Sequence, residues 1–268
     1  MTTLAAAVAA RLPTRLVGAT ARALYPRLEP ELARLADYCP AGGTAIDLGG
    51  WYGPWSRRLA DRCARVVTVE PVPHLAAHLR TALPGNVRVV QAAASDQEGT
   101  APLWLPDGDD GDRGLSSLTR GGVHAHSVEV PTVTVDSLGV QDTVFIKIDT
   151  DGGELPALRG ARAVLDRRRP ALLIELETRI RPIAPVIDLL AEDHGYTGWI
   201  LLPTGWRPLA GFDLPAHQRR TEHLVHRGML RRTLAPGRER YINSVLFLPE
   251  GRAPATRWAA GSSRCTRG

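Results

Sequence analysis

The chain has 268 residues, enough for one medium-sized domain with appendages and a sizeable buried core. Its apolar content of 44% and charged content of 23% are ordinary for a globular protein. A net charge of +5 would suit a polyanion, but the cations are almost all arginines scattered along the chain, Lys147 is the only lysine, and no basic block is interleaved with aromatics, so a nucleic acid partner is not expected.

Cys39, Cys63 and Cys265 are odd in number and lack metal-type spacing, which argues against a disulfide framework or a zinc site and favours a reducing, cytoplasmic setting. The apolar run 4–10 is short and has no cation before it, so it does not read as a signal peptide. No run is long enough to span a bilayer.

Residues 1–40 carry Leu12, Leu16, Leu24, Leu28, Leu32 and Leu35 at helical spacing, broken by Pro13, Pro26 and Pro30. They predict a helical cap packed on the main domain, with arginines on the other face that leave a membrane or partner role open. From residue 44 strands alternate with helices. Strands are expected over 44–48, 66–69 and 87–91, with a helix after Pro54 that aligns Trp55, Leu59 and Cys63 and another aligning Leu75, Leu79 and Leu83. Residues 95–142 form an excursion of Gly and Asp clusters around short β-like runs, 100–105 and 128–135, able to cover a ligand. Its acidic stretch 107–112 reads as a solvated tip.

The strand pattern returns at 145–149, followed by a tight turn, a helix over 155–165, a strand over 171–176, a helix over 185–193 and strands over 196–202 and 241–248. The loop 203–240 reads as irregular with some helix around 217–227, and 251–268 as a disordered basic tail. The prediction is a doubly wound α/β domain over 41–250, mostly parallel with one antiparallel strand.

Ligands of such sheets sit beyond the carboxyl ends of the strands. There Asp47, Gly49 and Gly53 read D-x-G-x-x-x-G, with Gly50 and Trp51 between them, and Glu70 follows one β-α-β unit later, spaced to take the hydroxyls of a ribose. A dinucleotide fingerprint would read G-x-G-x-x-G. The spacing found suits a cofactor without a pyrophosphate, so S-adenosylmethionine is expected in preference to NAD.

Several blocks together carry a more specific likeness: 45–53, Val69-Glu-Pro-Val-Pro73, Ala93-Ala-Ser-Asp96 with Gly99, Ile146-Lys-Ile-Asp-Thr-Asp-Gly-Gly-Glu154, Leu158-Arg-Gly-Ala161 and 172–176. In register over 44–176 the chain resembles the FkbM family of S-adenosylmethionine-dependent methyltransferases. The resemblance implies a class I methyltransferase fold and methyl transfer, usually to a hydroxyl of a sugar or natural product. It adds Pro71, Ala93, Ala94 and Ser95 to the expected cofactor contacts and Ser116 and Ser117 to the acceptor side. Thr150-Asp151 and Gly153 depart from the usual Val-Glu and Ala of that block, which loosens the role of Asp151 more than that of Asp149.

Period two puts Lys147 and Asp149 on one face of their strand, and an ammonium buried in a covered sheet needs a carboxylate. A Lys147–Glu175 pair is therefore expected below the site floor, as a buried ion pair or a catalytic element, with Asp149 above it. Asp149 is the first choice as the base that takes the acceptor's proton, or else it positions the cofactor; Glu154, His124 and His126 are alternatives. Trp51 either shields a sulfonium or packs on the glycine turn. His124/His126 and His223/His226 have metal-compatible spacing but no third ligand nearby, so no metal is expected. The expected reaction is O-methylation of a sugar, glycolipid or polyketide-type small molecule; an NAD-linked oxidoreductase and a non-catalytic cofactor-binding scaffold are the alternatives.

Overall fold

The computed structural model describes residues 18–20, 25, 29–106, 116–118, 120–122, 124–225 and 240–255. Its organising element is β1 (Thr44–Leu48), a five-residue strand buried along its whole length. Such a run has no solvent face and must sit in the middle of a covered parallel sheet. It does: β2 (Arg65–Val69) and β7 (Thr143–Ile148) pair with it in parallel on either side. β3 (Val87–Val90) extends the sheet beyond β2, and β8 (Ala171–Glu175) extends it beyond β7. β11 (Ser244–Pro249) pairs antiparallel with both β8 and β9 (Tyr196–Leu202). A further edge strand, β10 (Gly205–Pro208), folds back on β9, giving the order β10-β9-β11-β8-β7-β1-β2-β3. The fold is therefore the expected doubly wound, mainly parallel sheet, with β10 added where the sequence suggested only irregular chain.

The helices that flank the sheet are α1 (Pro30–Ala33), α2 (Pro54–Ala60), α3 (Pro73–Ala82), α4 (Glu154–Arg159), α5 (Arg162–Arg168), α6 (Ala184–Asp188) and α7 (Leu214–Thr221). α6 runs on into a π-helical turn, Leu189–Asp193. The expected helix 155–165 is split into α4 and α5 at Gly160. A Cβ at Gly160 would lie 2.1 Å from the Ser95 carbonyl oxygen, so this break lets the loop after β4 (Ala93–Ala94) press against the helices.

Period two divides the sheet's side chains between two layers. Ile46, Leu48, Ile146, Ile148, Leu172 and Ile174 face α4 and α5. Ala45, Phe145, Ala171 and Leu173 face Trp55 and Leu59 of α2 and Leu32, Leu35 and Tyr38 of the N-terminal segment. Each fully buried Leu or Ile contributes about 1.5–3 kcal/mol of transfer free energy. Asp47 and Lys147 lie on this second face, so two charged groups sit beneath α2 and the N-terminal segment.

The excursion carries a second sheet, β4-β6-β5, in which β5 (Gly99–Pro106) and β6 (His124–Val133) form a long antiparallel pair. Leu103, Leu105 and Val130 of that sheet pack on Tyr52 and Leu75. Its acidic tip 107–112 lies outside the described residues.

Of the expected cap, the described part is anchored through Arg240, which bonds to Glu31 through both terminal nitrogens and donates to the Leu201 carbonyl at 2.6 Å. Ala255 N–H donates to the Asp37 carbonyl at 2.8 Å, so the chain after β11 returns to the same segment. The expected tail beyond this, 256–268, lies outside the described residues. No helix among the described residues is long and apolar enough to cross a membrane.

Candidate active site

The turn after β1 is held from both sides. Gly49 and Gly50 N–H groups both donate to the Val69 carbonyl, at 2.9 and 3.3 Å, and Gly53 N–H closes the turn on Gly50 at 2.7 Å. Gly49 has φ +86°, and a Cβ there would stand 1.8 Å from the Asp149 carbonyl oxygen. Only glycine lets the turn lie this close to the end of β7. Trp51 is a non-glycine residue at φ +44°, a conformation that costs free energy. It is held by Glu70, whose two carboxylate oxygens accept the Trp51 N–H at 2.7 Å and the Val72 N–H at 2.8 Å. Burial pushes Glu70 up to about 7 against those two hydrogen bonds. The Trp51 ring packs on Tyr25 and Tyr52, at 5.8 and 4.9 Å between centroids.

Beneath the turn, Asp47 Oδ2 accepts the Ser56 hydroxyl, which also bonds Thr68 Oγ1 at 2.7 Å. Asp47 Oδ1 is buried with no hydrogen-bond partner among the described residues. Burial raises this carboxyl to about 7, opposed by the Ser56 hydrogen bond and the nearby Lys147 charge. Lys147 is Asp47's registered neighbour on β7 and is 0% exposed. Its Nζ lies 3.4 Å from Asp149 Oδ2, 3.4 Å from the Ile148 carbonyl and 5.7 Å from the centre of the Trp55 ring. Burial opposes its charge, yet Asp149, Glu29, Glu175 and Asp47 together hold the ammonium above its ordinary range.

The expected Lys147–Glu175 pair is corrected: the ion pair within reach is Lys147–Asp149. Register is the reason. Lys147 stands opposite Leu173, which places Glu175 one pleat period higher, at the level of Asp149. Glu175 bonds Asn243 Nδ2, a group on the approach to β11. Carboxylate oxygens of Asp149, Glu175 and Glu29 lie within 4.8 Å of one another. Glu29 was not among the expected site residues. It accepts the Trp55 indole N–H at 2.6 Å, and nothing in the irregular N-terminal pattern marks it out.

Asp149 itself is 26% exposed in its side chain, at the open end of β7. The loop that follows is shaped by Glu154, whose Oε1 accepts the Gly152 N–H at 2.9 Å and the Thr150 hydroxyl at 3.1 Å. These bonds make Glu154 a cap for its own turn, although it also lines a small cleft with Asp151, Glu175, Glu177, Ile180 and Arg181. Ser117 Oγ donates to the Asp151 carbonyl at 2.6 Å, and Ser116 Oγ beside it is buried with no hydrogen-bond partner among the described residues. Ala93 and Ala94 form β4, and Ser95 N–H donates to the Val133 carbonyl at 2.9 Å. Pro71 follows Glu70 half-buried. The alternative bases are placed otherwise: His124 Nδ1 accepts the Gly121 N–H at 2.7 Å within its own hairpin, and His126 is exposed on β6. His223 is exposed after α7, and His226 lies outside the described residues.

A mainly parallel sheet with an antiparallel strand beside β8, a glycine turn after β1 and an acid after β2 is the arrangement of the class I methyltransferase fold. A family model described as the methyltransferase FkbM domain matches residues 42–197, more than half of the chain, and the chain belongs to that family. Among solved structures, a methyltransferase FkbM from Methylobacillus flagellatus aligns at 14% identity and TM-score 0.47, over 90% of this chain and 57% of its own. This chain thus spans little more than half the length of that relative. A putative methyltransferase from Streptococcus mutans in complex with SAH aligns at 9% identity and TM-score 0.45, over 83% of this chain and 97% of its own. An rRNA methylase from Streptococcus thermophilus aligns at 10% identity and TM-score 0.43, over 83% and 96%. No curated protein matches the sequence.

The cofactor of this family is S-adenosylmethionine, and the residues at this end of the sheet fit it. Glu70 presents a fixed, buried carboxylate at the end of β2, suited to vicinal hydroxyls. The unpartnered Asp47 Oδ1 leaves an acceptor for which the described residues supply no donor.

Proposed function

We propose that the protein is an S-adenosylmethionine-dependent O-methyltransferase acting on a hydroxyl of a sugar, glycolipid or polyketide-type small molecule in the cytoplasm. One observation carries this reading: Asp149 stands partly exposed at the end of β7, its carboxylate 3.4 Å from the buried Lys147 ammonium and its carbonyl against the Gly49 turn. One strand end thus touches the cofactor turn and presents an oxygen base to the open side of the sheet.

When bound, S-adenosylmethionine supplies a methyl group made electrophilic by its sulfonium. Glu70, Gly49 and Gly50 hold the turn that cradles it, with Trp51, Gly53, Pro71, Ala93, Ala94 and Ser95 around them. The acceptor hydroxyl is a weak nucleophile until a base takes its proton. Asp149 is assigned that role, and the Lys147 ammonium, 3.4 Å away, fixes its carboxylate by charge. Alignment of acceptor and methyl group and exclusion of water supply the rest of the acceleration. Ser116 and Ser117, on the excursion of 95–142, face the acceptor in this reading. The domain limits proposed are 1–40 for the cap and 41–250 for the methyltransferase.

The test is calorimetry with S-adenosylmethionine and S-adenosylhomocysteine, followed by a screen of hydroxylated acceptors and of RNA. Binding of both cofactor forms with methylation of a small hydroxylated acceptor supports the proposal. Absence of cofactor binding, or turnover of RNA alone, overturns it.

A further inference from the structure

We propose that Glu29 of the N-terminal segment is a positioning residue for methyl transfer: with Asp149 and Glu175 it closes a ring of carboxylates around Lys147 and sets where in that ring a proton is held. The inference rests on the reading of Asp149 as the base.

The geometry is specific. Glu29 lies just before the α1 proline, and its extended backbone turns the side chain onto the α2 face of the sheet. Its Oε2 is fixed by the Trp55 indole at 2.6 Å, and its carboxylate lies within 4.8 Å of those of Asp149 and Glu175. The Trp55 ring also lies 5.7 Å from Lys147 Nζ, so a single side chain of α2 meets both the ammonium and the Glu29 carboxylate. The groups facing Glu29 are Lys147 and Asp149 from β7, Glu175 from β8, Trp55 from α2, and Glu31 and Tyr25 from its own segment. Glu177 stands next to Glu175.

Charge counting gives the consequence. Asp47, Asp149, Glu175 and Glu29 surround one buried ammonium, so full ionisation would leave an excess of three negative charges (four minus one) around it. Like charges this close are not all ionised together. Burial pushes Glu175 and Glu29 up, the Asp149 charge raises both, and Glu29 also raises Glu175. Burial and mutual repulsion therefore favour a shared proton over full ionisation of the ring. Glu29, as the member tied to Trp55 and not to the sheet, adjusts its distribution without contact with the reacting atoms.

Because Lys147 is the only lysine, protein labelled with carbon-13 and nitrogen-15 lysine gives one side-chain ammonium signal at the centre of the ring. Titrated between about pH 5 and pH 9, with and without S-adenosylhomocysteine, its shift reports the protonation of the carboxylates. Glu29→Gln keeps an oxygen for the Trp55 indole but removes the charge, and is expected to move the midpoint down by about one pH unit. The low-pH limb of methyl transfer should move with it. Glu29→Asp should restore the wild-type midpoint, and Glu29→Met, of similar volume, serves if Glu29→Gln fails to fold. A midpoint unmoved by loss of the charge overturns the proposal whether or not methyl transfer is seen. A midpoint that moves while the methyl-transfer profile stays put also overturns it, since Glu29 would then be structural. A moved midpoint in a protein whose wild type methylates nothing counts against the proposed function alone.

Discussion

Ser117 Oγ donates to the Asp151 carbonyl at 2.6 Å, and this bond ties the segment bridged to β5 to the loop that follows β7. Asp151 has φ +48°, so the loop is held in a sparsely populated conformation that the bond helps to fix. Ser117→Ala should cost about 1 kcal/mol of stability. Its larger expected effect is on the acceptor: KM should rise several-fold, while affinity for S-adenosylhomocysteine stays at the wild-type value. Steady-state kinetics beside calorimetry checks the split, and equal loss of both affinities would contradict it.

Gly49→Ala addresses the contact between the glycine turn after β1 and the end of β7. The new methyl group would meet the Asp149 carbonyl oxygen, 1.8 Å away, on a backbone at φ +86°. Backbone on both sides has to shift, so a loss of about 3 kcal/mol or more is expected, from strain at a left-handed position plus overpacking. Chemical denaturation should show the loss, and calorimetry should show cofactor binding weakened at least tenfold.

Lys147→Met tests the buried cation. Removing one partner of a buried ion cluster typically costs about 3–5 kcal/mol, because the remaining charge is left uncompensated. The carboxylates left behind would take up protons, so the variant should recover part of its stability as the pH falls. Wild-type stability at pH 8 would contradict the assignment of Lys147 as the cluster's cation, and wild-type turnover in a stable variant would end its part in catalysis.

Asp47 and Glu70 give the cofactor-free protein an expected pH dependence. Both carboxyls are raised by burial, each to about 7. Between their unfolded values near 4 and about 7 the folded state binds more protons than the unfolded one, so stability falls as pH rises through that window and levels off above it. From pH 6 to pH 8 each group should contribute a loss of about 1.4 kcal/mol, or about 2–4 °C in Tm for a chain of this size. Thermal unfolding should show it, and Asp47→Asn or Glu70→Gln should flatten the slope.

Much of this architecture is visible in the sequence because buried strands leave a strong signature. Thr44–Leu48 and Tyr196–Leu202 coincide with the strands read from the pattern, and D-x-G-x-x-x-G with Glu70 marks the tight turn after β1 that Glu70 holds. What the pattern does not carry is register and long-range approach. The Lys147–Glu175 pairing fails because side-chain polarity says which face a residue occupies and not its height along the neighbouring strand. The break at Gly160 depends on the Ser95 carbonyl, more than sixty residues away, and is invisible to helical periodicity. Glu29 is missed for a similar reason: its segment has proline-broken spacing, and its role arises only when Trp55 and the sheet meet it in space. The β10 strand lies in a Gly- and Arg-rich stretch with no clear alternation, and pairing with β9 supplies what local propensity lacks.

The seclusion of Lys147 also makes the molecule its own reporter of opening. Amine-directed reagents meet no lysine side chain on the surface of the folded protein, because the only one is 0% exposed beneath Trp55. Acylation of Lys147 must wait until the sheet and its N-terminal cover separate. The rate of that single modification, followed by mass, is a clock for the free energy of parting them. Cofactor and acceptor should each slow the clock by the amount their binding holds the two layers together.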